Sequence, residues 1–147
     1  MFKSAEYELL RESVGLVDRS GRGKLRLVGA EAADFLQGQV TNDVEALEPG
    51  TGCYAALLNH KGKVRTDMRV LRGAEWIWVD TEPRMHAVVD STVRTYGIGR
   101  VVRAEDVTGS HAILSLLGPA ARSRLDLEPP AGAASRNPRR CRLGLPL

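Results

Sequence analysis

The chain has 147 residues, 43% apolar and 27% charged, the size and composition of one soluble globular domain, which argues against disorder of the whole chain. No apolar run approaches the roughly 18 residues of a membrane helix, and Met1–Arg11 lacks a secretory-signal pattern, so a cytoplasmic protein without a membrane partner is expected. The net charge of +3 belongs to the end of the chain: from Glu128 onward four arginines face one acid, whereas residues 1–127 balance 17 basic against 17 acidic side chains, so the basic total is no argument for nucleic-acid binding.

In chain order, Ser4–Glu12 reads as a short helix capped by Ser4, with Tyr7, Leu10 and Val14 about a turn apart. Val14–Arg19 is short and extended, Gly21-Arg22-Gly23 is a turn, and Lys24–Val28 alternates as a half-buried strand does. Ala30–Gln37 is a helix burying Ala32, Phe35 and Leu36, ended by Gly38. Thr41-Asn42-Asp43 offers capping and turn side chains, and Val44–Leu47 a further turn. Cys53–Leu58 and Lys63–Leu71 are strands joined by the hairpin turn Asn59–Gly62, and Trp76–Val79 follows after Gly73–Glu75, making a three-stranded antiparallel meander. In the second of these strands Val64, Thr66, Met68 and Val70 share one face and Arg65, Asp67, Arg69 and Leu71 the other.

Thr81 is placed as the cap of a helix whose stripe is Met85, Val88, Val89, Val93 and Tyr96. Arg100–Arg103 and Ala112–Leu117 read as strands, the latter in the same sheet as the meander, and Gly118-Pro119 opens a short helix through Leu125. Residues 1–127 are thus an α+β body with helices packed on a mainly antiparallel sheet, and 128–147, with four prolines, a flexible tail.

Standard catalytic patterns are missing. Gly21-Arg22-Gly23 lacks the Lys-Ser/Thr ending of a phosphate loop, and no Gly-x-Ser-x-Gly elbow occurs. His60, His86 and His111 are isolated, and Cys53 and Cys141 lie far apart, so neither a metal site nor a disulfide framework is expected. Asp67 stands out because Asp is disfavoured within a strand; a solvated charge between Arg65 and Arg69 is the plainer alternative.

Four ordered motifs carry a resemblance. Phe35-Leu36-Gln37-Gly38-Gln39-Val40-Thr41-Asn42-Asp43-Val44 closely resembles a signature of YgfZ-type folate-binding proteins, relatives of the glycine-cleavage aminomethyltransferase. Asp18–Leu25 precedes it; Tyr54–Asn59 with Gly62–Val70, and then Leu114–Ala121, follow in matching order. The resemblance covers roughly residues 4–125 and implies part of an aminomethyltransferase folate-binding domain with a tetrahydrofolate-type ligand. It places Asp67 near folate N10 as a candidate proton acceptor and Tyr54 in the pocket lining, with Arg69 and Leu71 on the same strand face. The hairpin spacing is expected to set Tyr54 and Asp67 nearly opposite each other.

Two departures favour the YgfZ branch over the transferase: Thr66 replaces the first acid of the transferase's Asp-Asp pair, and Ser20-Gly21-Arg22-Gly23 replaces its Ser-His-Met-Gly. The branch's later Lys-Gly-Cys-Tyr-x-Gly-Gln-Glu motif is absent, so the chain reads as the N-terminal portion of such a protein, truncated or frameshifted. The implied function is folate binding in support of iron–sulfur cluster assembly or repair, with iron–sulfur proteins as partners and no independent catalysis by this chain. The alternatives are one-carbon transfer to tetrahydrofolate and a partial domain without activity.

Overall fold

A computed structural model describes residues 5–125 and the pair 141–142. The elements in order are α1 (Ala5–Glu12), β1 (Gly15–Asp18), β2 (Gly23–Val28), α2 (Ala32–Gln37), β3 (Thr51–Leu58), β4 (Val64–Arg72), β5 (Trp76–Thr81), a 3₁₀ turn (Pro83–Met85), α3 (His86–Tyr96), β6 (Arg103–Asp106), β7 (Leu114–Leu117), α4 (Ala121–Arg124) and β8 (Cys141–Arg142). The α+β class expected from the sequence is the class observed. The Ser4 cap and the tail lie outside the described residues, apart from Cys141–Arg142.

Contacts divide the chain into two units. One carries α1, β1, β7 and α4. Its strands form a two-stranded antiparallel sheet in the register Gly15↔Leu117 to Asp18↔Leu114. The backbone continues that pairing where Arg19 N–H donates to the Ile113 carbonyl at 2.8 Å.

The other unit holds a six-stranded sheet in the order β6-β2-β5-β4-β3-β8, antiparallel throughout. The expected meander is its β5-β4-β3 core. Alternation aims Leu25, Leu27, Ala55, Leu57, Met68, Val70, Ile77 and Val79 to one face, where Phe35 and Leu36 of α2 and Val89 and Val93 of α3 complete the buried core.

Four expectations are corrected. Ala112–Leu117 does not join the main sheet; its strand, β7, pairs with β1. The strand expected at Arg100–Arg103 starts at Arg103 and lies beside β2 at the sheet edge. Thr81 is no helix cap: it is the last residue of β5, 1% exposed, and its hydroxyl donates to the Asp67 carbonyl at 2.8 Å. The α3 stripe is narrower than expected, because Tyr96 is 53% exposed.

Candidate functional site

The core side of the main sheet is closed by helices, so polar chemistry collects on the opposite side. Tyr54 pairs with Arg69, Arg69 with Asp80, and Asp80 with Lys24, which makes one transverse row across β3, β4, β5 and β2. The next row contains Leu71, Trp78 and Arg26. Asp67 shares the face, opposite Ala56.

The register departs from the sequence expectation by two residues. Tyr54 faces Arg69 rather than Asp67, so Tyr54 and Asp67 are diagonal neighbours. One residue of the shift comes from the turn, where Asn59 N–H donates to the Lys63 carbonyl at 2.9 Å. The other comes from a bulge in β4, because Leu58 pairs with Val64 but Leu57 with Thr66. An even shift keeps both side chains on one face, where an odd one would have separated them. The bulge also removes Arg65 from that face: its Nη1 donates at 3.2 Å to Thr92 Oγ1 on α3, a helix of the core side. Val64 correspondingly leaves the core and is 64% exposed.

Asp80 is the electrostatic centre of the row. Its side chain is 3% exposed, and its Oδ1 accepts from Arg22 Nε at 2.5 Å and from Arg69 Nε and Nη2 at 3.0 and 2.8 Å. Arg22 Nη1 also donates to Glu82 at 2.5 Å. Burial works against the Arg22 charge, but the bonds to Asp80 and Glu82 outweigh it and raise its pKa overall. The row therefore presents Arg69 in a fixed orientation beside Tyr54, which is 57% exposed. Asp67 contrasts with Asp80: its carbonyl accepts from Thr66 and Thr81, while its half-buried carboxylate has no hydrogen bond or ion pair among the described residues.

The segment Phe35–Val44 is spent on architecture. Phe35 and Leu36 enter the core. Gln37 Oε1 accepts from the backbone of Val44 and Glu45 at 2.7 and 3.3 Å. Thr41 Oγ1 accepts from Ala56 N–H at 3.0 Å, and Asn42 Nδ2 donates to the Tyr54 carbonyl at 3.0 Å. These bonds pin the loop to the edge of β3 and fix the strand carrying Tyr54.

Tyr54, Asp67, Arg69 and Leu71, the four residues expected to bind ligand, thus lie on one face. Sequence reasoning missed Arg22, Lys24, Trp78 and Asp80. The signal was the same as for Asp67, an acid in strand alternation. Assigning Thr81 to a helix cap ended the strand too early for Asp80 to be noticed.

A family model described as "GCVT N-terminal domain" matches residues 2–127. The chain belongs to this family. Among relatives of the GCVT N-terminal domain, the aminomethyltransferase of Synechococcus sp. (strain WH7803) is 29% identical over 130 residues, 83% of this chain and 35% of that protein. The aminomethyltransferase of Desulforamulus reducens is 30% identical over 123 residues, 80% of this chain and 32% of that protein. The glycine cleavage system aminomethyltransferase T of Bartonella henselae shares the fold, with a TM-score of 0.69 and 21% identity over 84% of this chain and 35% of its own. The GCVT N-terminal domain chain spans about a third of the length of these relatives.

Proposed function

We propose that the face carrying Tyr54, Asp67, Arg69 and Leu71 is a half-site for a reduced folate. The observation that carries this is the Asp67 carboxylate, unpaired among the described residues, on the same face as an exposed tyrosine and a fixed guanidinium. Tyr54 offers a ring for stacking on a flat heterocycle. Asp67 is free to accept from, or pass a proton to, a folate nitrogen. Arg69 supplies a cation for a carboxylate.

The site is one-sided, and a ligand on an open face keeps much of its surface in water, so affinity is weak. Calorimetric titration with tetrahydrofolate under anaerobic conditions tests this. The expected result is weak saturable binding that Asp67→Ala reduces by about tenfold, equivalent to about 1.4 kcal/mol. Binding unchanged by Asp67→Ala would return that residue to a solvated charge.

The finer reading is a YgfZ-like folate protein that assists iron–sulfur cluster assembly or repair, supported by the resemblance of Phe35–Val44. The alternative, one-carbon transfer to tetrahydrofolate, is supported by the relatives named above, which are described as aminomethyltransferases. Thr66, which stands where the transferase pattern has an acid, supports the first reading; it is 6% exposed and lies on the core side of β4. Rescue of iron–sulfur enzyme activity in cells lacking a YgfZ-type protein, set against tetrahydrofolate-dependent aminomethyl transfer in vitro, distinguishes them.

A further inference from the structure

Arg69 stands between Tyr54 and Asp80 in the transverse row. Asp80 Oδ1 takes two of its three guanidinium nitrogens, Nε at 3.0 Å and Nη2 at 2.8 Å. The third, Nη1, makes no hydrogen bond among the described residues and is not buried; the side chain as a whole is 32% exposed. Holding Nε and Nη2 fixes the plane of the fork and leaves one nitrogen for a second acceptor.

Arg22 has no nitrogen to spare. Its Nε and Nη1 donate to Asp80 and Glu82 at 2.5 Å each, and its Nη2 reaches the Asp80 carbonyl at 3.5 Å. Its charge instead anchors Asp80, whose side chain is 3% exposed. Lys24 Nζ donates to the Arg22 carbonyl at 3.1 Å, so three cations meet two carboxylates in this cluster and an anion is attracted to it. Asp67 gives the same face an opposite pole. It lies two residues before Arg69 on β4, about 7 Å away along the strand, and Arg69 extends further towards Asp80 on β5. Such a face suits an elongated ligand with a nitrogen at one end and a carboxylate at the other.

We propose that the half-site recognises a reduced folate through its glutamate as well as its ring system, with Arg69 Nη1 donating to a glutamate carboxylate and Asp80 as the positioning residue that aims it. This recognition rests on the folate reading of the same face. It adds a requirement that the pterin and N10 alone do not meet.

Anaerobic calorimetric titration of the full 147-residue chain tests it, with tetrahydrofolate set against its diamide, in which uncharged carboxamides replace both glutamate carboxylates. The unaltered chain is expected to bind tetrahydrofolate about three- to tenfold more tightly than the diamide. Asp67→Ala should weaken both ligands alike, because both keep N10. Arg69→Gln should bring tetrahydrofolate down to the affinity of the diamide. Arg69→Lys should do nearly the same, since its one ammonium stays with Asp80. Asp80→Asn should narrow the ratio of the two affinities, a readout that a general loss of structure, weakening both ligands alike, would not move. If Asp80→Asn lacks a cooperative thermal transition, Arg69→Lys decides. A preference kept in full by Arg69→Lys overturns the positioning by Asp80. Equal affinity for the two ligands in the unaltered chain overturns glutamate recognition and leaves the half-site standing, whereas no binding of either ligand overturns both.

Discussion

Asp67 and Asp80 are both strand aspartates on one sheet face, and their surroundings give them opposite roles. Asp80 is buried beneath two guanidiniums, so removing its charge takes the ion-pair partner from Arg69 and leaves Arg22 with Glu82 alone. Asp80→Asn is expected to destabilise the protein by about 3 kcal/mol, read as a lower urea midpoint at unchanged slope. Asp67 contributes no side-chain bond among the described residues, so Asp67→Asn should alter stability by less than about 0.5 kcal/mol while weakening folate binding. A variant pair in which both lose stability equally would contradict this division.

Among the elements, the loop after α2 and the hairpin β3–β4 do most to shape the face. Gln37 caps two backbone N–H groups of the loop, one of them on the buried Val44. Gln37→Ala should cost about 1–2 kcal/mol in chemical denaturation, because those donors lose a partner that solvent cannot fully replace. In the hairpin turn, Gly62 has φ at +72° with open space around its absent Cβ. Gly62→Ala should therefore cost about 1 kcal/mol through backbone conformation alone, with the folate face unchanged by NMR. The bulge after this turn aims Arg65 at Thr92 and preserves the shared side of Tyr54 and Asp67.

At the scale of the whole molecule, surface carboxylates couple stability to pH. Glu105 is held below its ordinary value of 4.5 by the bonds from Arg26 and Arg103. Glu31 is lowered from the same value by the Val101 N–H bond and then by Arg100. Carboxyls whose folded pKa is depressed stabilise the fold above the ordinary value and lose that contribution as pH falls through the folded one. Thermal unfolding should show a melting temperature that declines below about pH 4.5, with a shallower decline in Glu105→Gln. A decline of equal steepness in that variant would locate the acid sensitivity elsewhere. No helix among the described residues is long and apolar enough to cross a membrane.

The amino-acid sequence by itself determined the local elements. Alternation in Lys24–Val28, Cys53–Leu58 and Lys63–Leu71, punctuated by Asn59–Gly62, is a local property, and those strands form as read. Four ordered motifs likewise pointed to the aminomethyltransferase family and to Tyr54 and Asp67, and strand alternation added Arg69 and Leu71 to that candidate set. What only the tertiary structure decided is which strands pair and how they are registered. β7 leaves the main sheet for β1, and a bulge with a longer turn moves Tyr54 from Asp67 to Arg69, because pairing is a non-local competition that side-chain periodicity does not encode. The Asp80 cluster was hidden for the same reason. Arg22, Arg69 and Asp80 stand far apart in the chain and become one charge network only when β2, β4 and β5 lie side by side.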